Sequence, residues 1–193
     1  MPLKRSLVSS VVAVAVALAI AAGAAQAQQK LIPAQSEIAF TSRQMGVPVE
    51  GKFAKFEAQM AFDPRKPETG KVSFTVDLTS VDMGSADTEK ELRAPGWFDS
   101  AKLPAATFSS TAIKGLGGGR FEVAGKLAIK NFSRDVVVPI TLTQSAGTTR
   151  ADGSFVLKRL DFKIGDGEWN DTSLVGNDVT VRVKLAFAGV PPL

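Results

Sequence analysis

The sequence predicts an all-β protein whose antiparallel strands form an eight-stranded up-and-down barrel. Three observations lead to this fold class. Apolar and polar residues alternate along most of the chain, short turns rich in glycine, proline and asparagine separate the alternating stretches, and consecutive stretches are close enough in sequence to pair as hairpins. Two packed sheets would also accommodate eight strands, but tight sequential hairpins favour the barrel. Eight strands leave an interior that is either filled by side chains or able to hold one small ligand.

Each alternating stretch predicts a half-buried strand with one face toward the core and one toward water. Two of the strands change phase midway, near residues 54–55 and near residues 79–80. A one-residue slip moves every following side chain to the other face, so we expect a bulge or bend at both places. The eight predicted strands cover residues 35–45, 47–62, 70–83, 105–115, 119–130, 134–145, 153–164 and 177–189.

A longer insertion, residues 84–104, separates the third and fourth predicted strands. Residues 85–93 within it predict a short helix, because Ser85 suits an N-cap, acidic residues fill the first turns and Pro95 ends the segment. Trp97 and Phe98 follow. A large apolar pair in a connection is unusual unless it covers something, and we predict that it closes one mouth of the barrel.

The amino terminus predicts a secretory signal peptide covering residues 1–27. Lys4 and Arg5 precede a long apolar run, and residues 25–27 (AQA) give the small-x-small pattern of a cleavage site. An amino-terminal membrane anchor is the alternative. Export of a chain without cysteine is compatible with a bacterial periplasm. Residues 28–193 contain no linker or repeat, so we predict one domain there.

The composition excludes several classes of chemistry. The 193 residues include no Cys, no His and no Tyr. Disulfides, Cys/His zinc sites, haem held by His or Cys, and Ser-His-Asp or Cys nucleophiles are therefore ruled out. Without Lys4 and Arg5 the formal net charge falls from +4 to +2, which is too weak to indicate a nucleic-acid partner. No catalytic residue, metal ligand or cofactor is predicted, although Asp161, Asp166, Glu168 and Asp171 leave a carboxylate pair open as an alternative.

The inward-facing apolar residues are the candidate binding residues. Either they fill an ordinary core, or they line a lumen whose mouth is covered by Trp97 and Phe98. The candidate lumen residues are Phe40, Phe53, Phe74, Val76, Phe108, Phe121, Val123, Ile129, Val138, Ile140, Phe162, Val181, Val183 and Leu185.

Five groups of short motifs follow one another along the chain. They are residues 36–40, residues 49–53 with 62–64, residues 92–93 with 97–99 and 104–111, residues 125–130, and residues 138–140. In this order and spacing they resemble the YceI-like family of polyisoprenoid-binding periplasmic proteins, over the whole of residues 28–193. The block from Leu92-Arg93 through Trp97-Phe98 to residues 104–111 is the most specific part of the resemblance.

The resemblance implies a lipocalin-like barrel with an apolar tunnel for a polyisoprenoid chain, such as a prenyl pyrophosphate or an isoprenoid quinone. Many members of the family carry His near the end of the first strand, where this chain has Met45, and just before the Leu-Arg pair, where it has Glu91. No head-group residues are therefore carried over from the family. The tunnel needs only apolar area.

The function expected from the sequence is that of a periplasmic carrier of a polyisoprenoid lipid. A variant is a quinone-binding partner of a membrane cytochrome, and transient contact with a membrane is a further possible partnership. The alternatives are a lipid- or glycan-processing enzyme that uses a carboxylate pair, and a filled barrel that acts only through its surface. The sequence favours no oligomeric state.

Overall fold

Alternation of apolar and polar side chains builds one large antiparallel sheet in the computed structural model, which describes residues 29–193. The predicted signal peptide, residues 1–27, lies outside the described residues. Within the described part the strands are β1 (Lys30–Leu31), β2 (Glu37–Gln44), β3 (Val47–Phe53), β4 (Phe56–Ala61), β5 (Lys71–Asp77), β6 (Val81–Asp82), β7 (Ala105–Gly117), β8 (Arg120–Ile129), β9 (Phe132–Ser145), β10 (Thr148–Lys158) and β11 (Asp178–Ala188).

The sheet curls into a barrel-like shape of the lipocalin-like kind. Its strand order is β4-β5-β7-β8-β9-β10-β11-β2-β3-β6, with β1 added beside β11. Pairing of β11 with β2, with Val183 opposite Ile38, brings the last strand beside one of the first. Such a return from the end of the chain to its beginning is what curls a row of sequential hairpins around an interior.

The expected count of eight strands is wrong, because the described part of the chain has eleven. The two expected strands that change phase are each divided there: residues 47–62 become β3 and β4, and residues 70–83 become β5 and β6. A 3₁₀ turn, Leu78–Ser80, separates β5 from β6. We call these two interruptions, residues 54–55 and residues 78–80, the corners of the sheet. Hydrogen bonds join the two corners, from Ala54 N to Ser80 O (3.0 Å) and from Asp77 N to Lys55 O (3.0 Å). The bends expected at these positions are therefore sharp enough to end a strand, and β1 is a further strand that the alternation did not reveal.

The single α-helix of the described residues, α1 (Ala86–Arg93), lies between β6 and β7. Its expected place between the third and fourth strands is wrong for the same reason as the strand count, although its residues agree with the expectation. The Ser85 hydroxyl caps the helix by accepting from Thr88 N (3.5 Å). Among residues 29–193, no helix combines the length and hydropathy needed to cross a membrane.

The inner face of the sheet is apolar and is packed unevenly. Leu78 and Phe162 are the large side chains with almost no exposure, and they belong to a cluster near α1. At the opposite end Phe62, Ile113 and Phe121 form a second buried cluster. Between them, inward side chains such as Phe74 and Val183 are only partly buried. Their residual exposure faces a hollow interior.

Candidate ligand-binding cavity

The hollow interior consists of two adjoining cavities. One has a volume of about 170 Å³ and the other about 440 Å³. The second lies within the usual range of small-molecule pockets. Both cavities are lined in part by the same five residues, so that they meet in the middle of the barrel. The shared residues are Ile38, Val76, Leu127, Phe155 and Val181.

The smaller cavity is the apolar end of the lumen. Among the described residues that line it, Thr149 is the one with a polar side chain. Its hydroxyl accepts a hydrogen bond from Gln144 Nε2 (3.0 Å), so it is already partnered. Phe62 and Phe121 stand at the far end with their rings edge to face, 5.4 Å apart between centroids. This part of the lumen therefore offers almost entirely hydrocarbon contact.

The larger cavity is apolar within and polar at its rim. Phe40, Phe53 and Phe98 line its wall, with ring centroids 5.5 and 5.9 Å apart in succession. Helix α1 contributes the exposed residues Asp87 and Glu91, which also line the cavity. A side chain that is both exposed and part of the lining marks the place where the cavity opens to water. The mouth of the lumen therefore lies beside α1.

The structure brings together all but one of the candidate lumen residues. Phe162 lies outside both cavities, as a fully buried member of the cluster near α1. Phe162 lies in a 3₁₀ turn, Arg159–Phe162, and not in a strand. The alternation of inward and outward side chains therefore does not extend to it. The smaller cavity is lined by Phe74, Val76, Phe108, Phe121, Val123, Val138, Ile140, Val181, Val183 and Leu185, and the larger by Phe40, Phe53, Val76, Ile129 and Val181.

The two expected mouth residues have different environments. The Trp97 ring is part of the wall beside the opening, and its Nε1 donates to Glu91 Oε1 (3.1 Å). Trp169 packs against it, with ring centroids 5.9 Å apart. Phe98 is buried against Phe53 and lies in the wall rather than at the opening. The aromatic pair at the mouth is therefore Trp97 with Trp169.

Arg159 is a buried cation at the mouth that sequence reasoning missed. It is 2% exposed, and its five N–H groups all donate to backbone carbonyls. Its guanidinium carbon lies 6.0 Å from the centroid of the Trp97 ring. Burial lowers the pKa of Arg159, but a guanidinium titrates so far above neutrality that it remains charged. The bonds are from Nε to Gly176 O (3.1 Å), from Nη1 to Ile164 O (2.9 Å) and Gly165 O (2.5 Å), and from Nη2 to Trp169 O (2.6 Å) and Val175 O (2.8 Å).

Lys130 joins two segments that flank the mouth. Its Nζ donates to Pro95 O (3.1 Å) and to Lys163 O (2.7 Å). Burial lowers the pKa of Lys130, and the charges of Asp166 and Asp99 oppose that shift. Together with Arg159, this lysine fixes the connection between β10 and β11 beside the turn that carries Trp97.

Two of the acidic residues after β10, Asp166 and Asp171, are engaged within their own loop. Asp171 Oδ1 accepts from Ser173 N (2.8 Å) and Ser173 Oγ (2.7 Å), and these bonds lower the pKa of Asp171. Asp166 pairs with Lys163 at 3.7 Å. In residues 29–193 no group of three or more carboxylates lies close enough to hold a metal ion. Asp166 and Asp171 therefore stabilise the connection between β10 and β11.

A barrel-like sheet that encloses an apolar cavity open at one end defines a lipocalin-like protein. The chain belongs to the YceI-like family, because the family model of the YceI-like domain matches residues 30–187. The UPF0312 protein VPA0850 of Vibrio parahaemolyticus is 30% identical to it over 97% of this chain and 99% of that protein.

Other alignments with curated relatives are shorter. A UPF0312 protein of Azotobacter vinelandii is 35% identical over 46% of its length, and one of Ectopseudomonas mendocina is 32% identical over 63%. The chain thus spans about half to two thirds of the length of these relatives.

Solved structures share the fold. The crystal structure of Burkholderia cenocepacia BcnA has a TM-score of 0.79 at 40% identity, covering 81% of this chain and 99% of that one. A polyisoprenoid binding domain from Saccharophagus degradans has a TM-score of 0.69 at 17% identity, covering 85% of this chain and 99% of that domain. At that identity the likeness concerns the fold alone.

Proposed function

We propose that the protein is a non-enzymatic carrier that holds the tail of a polyisoprenoid lipid in its lumen. The observation that carries the proposal is the pair of adjoining apolar cavities, which share Val76 and Val181 and end at the buried Phe62 and Phe121. Such a continuous space suits a long, thin hydrocarbon chain. It argues against a filled barrel that acts only through its surface.

The energetics of tail burial support this ligand class. Burial of each CH₂-sized group contributes about 0.8 kcal/mol, so a tail of about twenty carbons offers more than 10 kcal/mol before the costs of ordering and association. Aliphatic and phenylalanine walls supply all of that without a nucleophile or a metal. The structural neighbour from Saccharophagus degradans is described as a polyisoprenoid binding domain, which agrees with the proposal.

The candidate lipids are a prenyl pyrophosphate and an isoprenoid quinone, which differ in their head groups. A quinone carrier could exchange its cargo with a membrane cytochrome, either directly or through a transient membrane contact. An enzyme acting through a carboxylate pair is the less favoured alternative, because Asp166 and Asp171 are engaged in an ion pair and a turn.

A tryptophan at the centre of the lumen tests the proposal. Val183 lines the smaller cavity, so we expect Val183→Trp to place an indole ring in the space that the tail would occupy. Over-packing of this kind costs about 1–3 kcal/mol, which the fold should survive. The measurement is retention of a radiolabelled prenyl alcohol on a desalting column, with circular dichroism as the folding control.

Val156→Trp is the matched control, because Val156 is 57% exposed on the outer face of the neighbouring β10. We expect Val183→Trp to lose the lipid and Val156→Trp to retain it. Equal retention by folded Val183→Trp and by the wild type would place the ligand outside the lumen.

The carrier is proposed to act in the periplasm after removal of residues 1–27. The basis is the apolar run that follows Lys4 and Arg5 and ends at residues 25–27. We expect amino-terminal sequencing of the protein from a periplasmic extract to begin at Gln28. Recovery of the intact chain in the membrane fraction would instead support the anchor.

A further inference from the structure

Among the described residues, the charged side chains that line the lumen lie only at its mouth. Two of them are acidic and one is basic. Of the described residues that line the two cavities, Asp87, Glu91 and Arg159 carry charged side chains. All three belong to the larger cavity. A linear amphiphile that buries its tail toward Phe62 and Phe121 must therefore leave its head group beside these three residues.

The two carboxylates at the mouth are accessible to such a head group. Asp87 and Glu91 are one turn apart on α1 and share one face of the helix. Both are exposed, and Glu91 uses one oxygen to accept from Trp97 Nε1. The basic residues of α1 do not offset them in the lining, because Lys90 and Arg93 are absent from it. Arg93 is instead engaged with Glu89 (3.4 Å) and with Val81 O (3.3 Å).

The one cation in the lining has nothing left to offer an anionic ligand. A guanidinium has five N–H donors, and Arg159 directs all five to the backbone carbonyls named above. The negative ends of those carbonyl dipoles surround its charge. Among the residues that line the lumen, a phosphate would therefore meet two carboxylates and a guanidinium whose donors are all occupied.

We propose that the mouth selects polyisoprenoids with an uncharged head group, such as an alcohol or a quinone, over prenyl diphosphates. This inference rests on the proposed function and narrows its ligand class. Like charges brought together in a binding site oppose association, whereas a hydroxyl or a carbonyl carries no such penalty. Uncharged polar side chains at the same rim, Ser42, Gln44 and Thr88, can hydrogen-bond a neutral head group.

Two radiolabelled probes with the same tail test the selection, namely geranylgeraniol and geranylgeranyl diphosphate. Their dissociation constants are compared for the wild type and for the Asp87→Asn/Glu91→Gln double variant. Glutamine keeps the oxygen that accepts from Trp97, so the aromatic pair at the mouth should remain in place. The decisive quantity is the ratio of the dissociation constant of the diphosphate to that of the alcohol, compared between the wild type and the double variant. Differences in solubility between the two probes are the same for both proteins and so cancel in this comparison.

We expect the double variant to bind the diphosphate about fivefold more tightly than the wild type, and the alcohol with nearly unchanged affinity. Raising the ionic strength to about 0.5 M should shrink that difference, because salt screens exposed charges. The control is Glu57→Gln/Asp152→Asn, which removes the same charge from exposed strand positions outside both cavities. It should leave both constants unchanged.

A ratio that does not change in Asp87→Asn/Glu91→Gln would overturn the inference, as would wild-type protein that binds the diphosphate more tightly than the alcohol. In either case the proposed lipid carrier would stand, because a prenyl tail would still be bound. Failure of the wild type to bind either probe would instead reject the carrier function, and the selectivity with it.

Discussion

Arg159 occupies the position that continues the inward-facing apolar side chains of β10. Phe155 and Leu157 face the lumen from β10, whereas Val156 and Lys158 face outward. The next inward position is Arg159, which is buried among backbone carbonyls rather than exposed. A charged residue in the apolar register of a strand was the signal in the sequence that could have identified it. The partners could not have been identified, because they are main-chain oxygens of an irregular loop.

Replacing Arg159 with methionine should destabilise the protein by about 3 kcal/mol or more. Methionine fills similar space but leaves five carbonyl oxygens without their donor, and each buried acceptor left unpaired costs about 1–3 kcal/mol. Arg159→Lys keeps the charge and at most three donors, so its loss should be intermediate. Urea unfolding followed by circular dichroism measures both changes. An Arg159→Met variant as stable as the wild type would show that these bonds contribute little.

At the scale of elements, the corner between β5 and β6 depends on one carboxylate. Asp77 Oδ1 accepts from Thr79 Oγ1 (2.6 Å) and Thr79 N (2.8 Å), which caps the 3₁₀ turn Leu78–Ser80. These hydrogen bonds favour the ionised form, so the hydrogen bond from the Thr79 hydroxyl above all lowers the pKa of Asp77 below its ordinary value of 3.8. The turn brings the buried Leu78 onto the core cluster near α1.

Acid should weaken this corner. Because the pKa of Asp77 is lower in the folded than in the unfolded chain, its contribution to stability is present above pH 3.8 and is lost as the pH falls through the folded value. We expect Asp77→Asn to be less stable than the wild type near pH 7, and this difference to shrink below pH 3.8. Urea unfolding at a series of pH values measures it. A difference that stays constant with pH would mean that the charge of Asp77 is not what supports the turn.

The strands could be predicted because their side chains alternate with a period of two residues. For the corners, only their positions could be predicted. Each of the eight expected strands overlaps a strand of the structure, and α1 occupies the expected residues. The phase changes at residues 54–55 and 79–80 correctly located two interruptions. They did not show whether a strand bends or ends there, because that depends on hydrogen bonds between the two corners, such as the one from Ala54 N to Ser80 O. Those bonds join residues distant in sequence.

At the scale of the whole molecule, the apolar inner face followed from the alternation, whereas of the residues at the mouth only Trp97 was expected from the sequence. The inward-facing apolar side chains of separate strands must face one another once the sheet curls. The apolar wall that they form could therefore be predicted from the alternation alone. The mouth is built from α1, the turn with Trp97, and the connection between β10 and β11 that contributes Trp169. No periodicity relates these segments, and long-range contacts of Lys130 and Arg159 hold them in place.

The division into an apolar end and a polar mouth also predicts how binding depends on tail length. A longer tail reaches from the mouth into the smaller cavity and buries more apolar area, which contributes up to about 0.8 kcal/mol per CH₂. The wall formed by Phe62, Ile113 and Phe121 closes the far end. Affinity should therefore rise from geraniol to farnesol to geranylgeraniol, and should stop rising once the tail reaches that wall.

Thermal unfolding measures this dependence, because a ligand that binds only the folded chain raises its stability by mass action. At a free ligand concentration of about one hundred times the dissociation constant the gain is about 2.7 kcal/mol. For a chain of this size that corresponds to a rise in Tm of about 5–10 °C. When all three alcohols are compared at the same free concentration, the shift should grow with tail length in the wild type and in Val156→Trp, whose new ring faces solvent. It should be small and insensitive to length in Val183→Trp, where the indole fills space within the smaller cavity. Length-independent shifts in the wild type would mean that the tail lies on the surface and that the lumen is not the binding site.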